Sequence, residues 1–80
     1  VNFSEALNLL NQGGAVRRAG WGGKGLSVRV IKPESKDAGS MTLPFIALEY
    51  PVDSGPYPKG AKVPWLASQT DILAQDWEQV

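Results

Sequence analysis

Neither cysteine nor histidine occurs in these 80 residues, and that double absence limits what the chain can fold into more than any motif does. Without Cys, no disulfide can staple the fold and no thiolate can hold a metal. Without His, there is no imidazole ligand for zinc and no Ser-His-Asp or Cys-His apparatus. The chain must rely on a packed apolar core, yet a single domain of this length buries only about 60–65% of the surface its unfolded form exposes. Unstapled chains of this size commonly gain further stability by self-association, so a homo-oligomer is expected. The composition suits a folded domain, with 42% hydrophobic and 20% charged residues. Eight basic side chains balance eight acidic ones, whereas a general DNA binder carries a clear basic excess. Apolar runs are only a few residues long, too short to span a membrane, and no signal-peptide pattern is legible. The expectation is a cytoplasmic protein with no DNA or membrane partner, no metal and no cofactor.

Glycine and proline divide the rest into short elements. Phe3, Ala6, Leu7 and Leu10 recur at helical spacing. Asn2 and Glu5 form a capping-box pattern ahead of them, and Gly13-Gly14 stands where a left-handed cap is wanted. Residues 15–19 suggest a short edge strand before a turn at Gly20. Residues 26–32 alternate apolar with polar and stop at Pro33, the clearest strand pattern in the chain. Residues 34–42 read as a loop, and Phe45 to Tyr50, between Pro44 and Pro51, as a second strand. Three prolines and two glycines make 51–60 a loop or wide hairpin connection. Lys62 to Trp65 suits an edge strand, because Pro64 cannot donate to a ladder. Ser68 and Asp71 repeat the capping pattern before a short second helix, and Trp77 to Val80 suits a last strand. The expected fold is one α+β domain over residues 1–80, with an N-terminal helix packed on a small antiparallel sheet and a short helix near the C-terminus.

Charge is uneven along this neutral chain. Arg17, Arg18, Lys24, Arg29 and Lys32 lie between Ala15 and Pro33 with no acid, whereas Asp71, Asp76 and Glu78 lie beyond Leu66 with no base. Either two faces attract each other, or the basic stretch meets a small anionic ligand.

Two stretches carry ligand-binding chemistry. In Gly20-Trp21-Gly22-Gly23-Lys24-Gly25 the glycines let backbone approach a ligand. There Lys24 supplies a point charge for phosphate and Trp21 a stacking face. The spacing is not that of a Walker loop, and the plain alternative is a flexible turn with Trp21 folded into the core. In Val63 to Asp71, Trp65 precedes a helix start where Ser68, Gln69 and Thr70 offer donors. Asp71, an acceptor when ionised, suits a ribose hydroxyl or an exocyclic amine. The plain alternative is a capping box with Trp65 as a core anchor. The acids Glu5, Glu34, Asp37, Glu49, Asp53, Asp71, Asp76 and Glu78 form no recognisable hydrolase or metal motif, so no catalytic residue is assigned and no enzyme is expected.

The segments Asn2-Phe3-Ser4-Glu5-Ala6-Leu7, Trp21-Gly22-Gly23-Lys24-Gly25-Leu26 and, above all, Val63 to Trp77 resemble the phage-encoded Thoeris anti-defence 2 family. The likeness covers residues 2–26 and 61–80, and residues 33–60 lie outside it. Gly22 and Leu26 stand where the family commonly has Asn and Met. The resemblance implies a homotetrameric sponge with pockets shared between protomers. Its ligand would be a cyclic ADP-ribose-type nucleotide made by a TIR-domain enzyme, or a cyclic dinucleotide or trinucleotide, held intact in the infected host. Carried onto this chain, Trp21 and Trp65 would stack on or wall the ligand, and Gly23 would allow close approach. Lys24 with Arg17 or Arg18 would neutralise pyrophosphate, Ser68, Gln69 and Thr70 would donate, and Asp71 would accept. Two other classes stay open: a small protein-interaction module that inhibits a host enzyme directly through the Pro51–Pro64 loop with Tyr50 and Tyr57, and a single-stranded nucleic-acid binder with steep salt dependence.

Overall fold

The computed structural model describes residues 1–51 and 57–80, with the backbone alone at 23 and 24. Asn2 starts the first helix, α1 (Phe3–Asn11), through local chemistry: its side chain accepts the Glu5 N–H at 2.9 Å and Glu5 returns the bond to the Asn2 N–H at 3.2 Å. At the other end Gly13 adopts a φ of 90°. The N–H groups of Gly13 and Gly14 then bond the carbonyls of Leu10 and Leu9, both at 3.0 Å, which closes the last turn on its orphan acceptors.

The strands are β1 (Val16–Arg18), β2 (Ser27–Ile31), β3 (Phe45–Tyr50), β4 (Ala61–Pro64) and β5 (Trp77–Gln79), with the second helix α2 (Gln69–Leu73) between the last two. They form one antiparallel sheet in the order β4-β3-β2-β1-β5. The α+β expectation is met, and the strand limits agree closely with the breaker positions. One position differs. The short strand expected at an edge lies inside the sheet, because β5 returns along its free side, pairing Arg17 with Glu78 and Arg18 with Trp77. The edge places go to β5 and to β4, where Pro64 was expected to require one.

Register separates the two faces. Val16, Val28, Leu48 and Val63 pair in one row across four strands. On that face α1 packs over β5, β1 and β2, burying Ala6, Leu10, Val16, Val28 and Trp77. Phe3 and Leu9 flank this core half-buried, while Leu7, expected within the apolar stripe, lies on the helix flank and is 38% exposed. On the reverse face Ile31 and Ala47 are covered by Ala38 of a short 3-10 turn (Lys36–Ala38) in the 34–42 loop. β3 and β4 pair from Tyr50 and Ala61 onward, and the rings of Tyr50 and Tyr57 stack at 4.6 Å. Most of the intervening Pro-rich connection, including Asp53, lies outside the described residues. Among the described residues no helix is long and apolar enough to cross a membrane.

Leu10 is 1% exposed at the centre of the α1–sheet contact. Leu10→Ala is expected to cost about 2–5 kcal/mol, a large share of the roughly 4–12 kcal/mol available to a domain of this size. Urea unfolding measures it, and a loss under about 1 kcal/mol would mean that α1 is not integral to the core.

Candidate functional site

The segment after β1 folds into a 3-10 turn (Ala19–Lys24) that leaves through Gly25 at a φ of 76°. Gly25 is required there twice over, since a Cβ would also stand 2.8 Å from Pro51 Cγ. The turn carries Trp21 over the helix-bearing face, where Trp77 is the hub of an aromatic cluster. Trp21 meets Trp77 edge-on with centroids 5.4 Å apart, Trp65 meets it edge-on at 5.9 Å, and Phe3 tilts against it at 5.4 Å. Trp21 and Trp65 also touch, at 6.2 Å. Trp77 is 1% exposed, whereas Trp21 and Trp65 are half-buried. Both have the core-packing role that was the plain alternative for them.

Beside the rings stands a charged node. Arg18, at the end of β1, reaches Asp76 through Nε at 2.8 Å and Asp71 through Nη1 at 2.9 Å, with its side chain only 18% exposed. Asp76 also accepts the Gly20 N–H at 2.8 Å. Asp71 is the third residue of α2 and completes the expected capping box with Ser68: its own N–H donates to Ser68 Oγ at 3.1 Å and its carboxylate accepts the Ser68 N–H at 3.3 Å. Its carbonyl accepts the indole N–H of Trp77 at 2.8 Å. The charged and aromatic clusters are thus one assembly.

The structure therefore brings together Trp21, Trp65, Arg18, Ser68 and Asp71. Gln69 and Thr70 stand exposed on the adjoining turn of α2, and their side chains make no hydrogen bond among the described residues. Arg17 is set apart: it shares a strand with Arg18, so it points to the reverse face, where it pairs with Glu78 at 2.9 Å. Gly23 and Lys24 contribute backbone to the turn, and the Lys24 side chain lies outside the described residues. For Arg17 and Arg18, the two charged stretches of the sequence find each other. A shallow depression of about 340 Å³, lined by Arg29, Ile31, Lys32, Glu34, Ser35 and Asp37 among others, lies between β2 and the following loop and includes none of the expected site residues. Sequence reasoning missed Asp76 and the hub role of Trp77. Their membership in the distinctive run ending at Trp77 was a signal, but their partners are distant in sequence.

These contacts decide the protonation states. Burial alone raises the Asp71 carboxyl, but hydrogen bonds from Arg18 and Ser68 outweigh it and hold the group below the ordinary 3.8. Asp76 is held low first by Arg18 and then by the Gly20 N–H. The same bonds, Asp76 before Asp71, raise Arg18 above its ordinary value. Two ionised carboxylates engaged as acceptors are poor proton donors near neutrality. Because both Asp values are lowered on folding, their stabilisation is complete well above 3.8 and is lost as pH falls through the folded values. The thermal midpoint is expected to stay level from neutrality to about pH 5 and to fall below about pH 4. Asp76→Asn should flatten that acid limb in a melting series at constant ionic strength, and an unchanged limb would remove Asp76 from its cause.

Comparison with known proteins extends the likeness to the whole chain, including residues 33–60, which were expected to lie outside it. The model of a family described as the Thoeris anti-defense 2-like domain matches residues 1–80. Thoeris anti-defense 2 of Bacillus phage SP01 is 39% identical over 87 aligned residues, which span 100% of this chain and 94% of the phage protein.

Proposed function

Since the chain belongs to the Thoeris anti-defense 2-like family, we propose that it is a phage anti-defence protein that sequesters a cyclic ADP-ribose-type signal without cleaving it. Holding the signal keeps the Thoeris effector of the infected bacterium silent. The observation that carries this reading is the gathering of Trp21, Trp65, Ser68 and Asp71 around one node, with Gln69 and Thr70 free beside it. Nucleotide capture needs aromatic walls, hydroxyl and amide donors, and an acceptor for ribose or base; it needs no nucleophile and no general acid. Cyclic dinucleotides or trinucleotides, with the same base, ribose and phosphate groups, are further ligands of this class.

Sequestration also demands affinity. Suppressing a signal that acts at nanomolar to micromolar levels calls for a Kd of about 10 nM or below, near −11 kcal/mol. One small subunit offers little enclosing surface, whereas a pocket shared between subunits buries a ligand on two sides. The exposed Leu66 (92%) and Leu73 (74%), with Ile72 between them in sequence, support self-association beside the site. We take the assembly to be a homotetramer.

Capture and release tests the reading. The protein is mixed with the cyclic ADP-ribose product of an activated TIR enzyme, freed of unbound ligand by filtration and heat-denatured, and the released molecule is weighed by mass spectrometry. The expected result is depletion followed by recovery of the unaltered compound. An altered product would mean an enzyme. No depletion would exclude this ligand and direct the same assay to cyclic oligonucleotides, then to a protein partner. Gln69→Ala and Thr70→Ala remove side chains with no internal bond, so the melting midpoint should stay constant while affinity falls about two- to tenfold each. Wild-type affinity in both would place the ligand elsewhere.

A further inference from the structure

Residues 20–25 and 63–71, the two stretches with ligand-binding chemistry, are distant in sequence, and one polar chain joins them. It runs from the Gly20 N–H to Asp76, from Asp76 to Arg18, from Arg18 to Asp71 and from Asp71 to Ser68. Asp76 grips the start of the turn twice: its carboxylate takes the Gly20 N–H at 2.8 Å and its backbone carbonyl takes the Ala19 N–H at 3.0 Å. The fit leaves no slack, because a Cβ on Gly20 would stand 2.9 Å from Asp76 Oδ2. Trp21 is the next residue along, so its placement over Trp77 depends on where Gly20 is held. Arg18 is itself committed, with Nε and Nη1 each within 2.9 Å of a different carboxylate. Two carboxylates already offset its charge, so it is poorly placed to bind a pyrophosphate as well.

We propose that Asp76, acting through Gly20 and Arg18, is a positioning residue that locks the 19–24 turn to the start of α2 and so sets the spacing of Trp21 and Trp65 that the ligand meets. This rests on the sequestration reading above. Asp76 touches the turn and the guanidinium rather than the ligand, and Arg18 serves the same lock instead of the phosphate.

The test compares Asp76→Ala, Asp76→Asn and a control at Ile31, which is buried on the reverse face of the sheet away from the turn. Ile31→Val or Ile31→Ala is chosen to match the midpoint loss of Asp76→Ala. Binding of cyclic ADP-ribose is measured by calorimetry well below every melting midpoint, alongside tryptophan emission. Asp76→Ala is expected to weaken binding by about tenfold or more and to shift emission to the red as Trp21 leaves the edge of Trp77. Asp76→Asn keeps an acceptor for the Gly20 N–H and should recover part of both. The Ile31 variant should bind within about threefold of wild type with unshifted emission. The proposal is overturned if Asp76→Ala binds within about twofold of wild type, or if the matched Ile31 variant loses as much. Should wild type itself bind no cyclic ADP-ribose, that ligand is excluded. Emission then decides the positioning role alone, and an unshifted Asp76→Ala spectrum refutes it.

Discussion

The guanidinium of Arg18, held between carboxylates 53 and 58 residues further along the chain, is the interaction on which the rest of the arrangement depends. It joins the end of β1 to α2 and to the approach of β5. Each carboxylate has a further partner, the Gly20 N–H for Asp76 and the Ser68 N–H for Asp71. Those extra bonds matter because a partly buried ion pair is favourable only when its remaining acceptors are also satisfied. Removing one member would leave the others without a partner, a loss that weighs most on Arg18 and Asp71, 18% and 14% exposed, and least on Asp76, which at 35% keeps access to water.

The aromatic cluster ties the proposed binding surface to the stability of the fold. Trp77 is buried, and its one polar side-chain atom is satisfied by the Asp71 carbonyl at 2.8 Å. Trp21 and Trp65 lean on it edge-on, the geometry in which the positive rim of one ring meets the negative face of another. Half-buried themselves, they help to complete a core that a chain of this size can barely fill. A small domain has few side chains to spare, so any ring it offers to a ligand must also hold the fold. In that setting Gln69 and Thr70, whose side chains make no hydrogen bond among the described residues, are cleaner reporters of the proposed binding than any tryptophan.

Both plain alternatives raised by the sequence describe real features. Asp71 is a capping residue, and Trp65 and Trp21 are core residues. The basic and acidic stretches do attract each other, and they do so on two faces of the sheet: Arg17 with Glu78 on one, Arg18 with Asp71 and Asp76 on the other. Alternation along β1 is the reason. Neighbouring residues on a strand face opposite ways, so two consecutive arginines cannot serve one ligand.

What the sequence determined by itself was everything governed by near neighbours. The capping boxes at Asn2/Glu5 and Ser68/Asp71, the glycine stop after α1, the Pro-bounded strand at 45–50 and the edge position of β4 were all legible. In each case the chemistry that sets the element acts within about four residues, through a hydrogen bond or a forbidden backbone angle. The tertiary structure alone decided that β1 lies inside the sheet, that Trp77 is the hub and that Arg18 belongs to Asp76 and Asp71 while Arg17 belongs to Glu78. Those outcomes depend on β5 returning beside β1 from about sixty residues away, and no local pattern encodes a pairing that exists only once the sheet has formed.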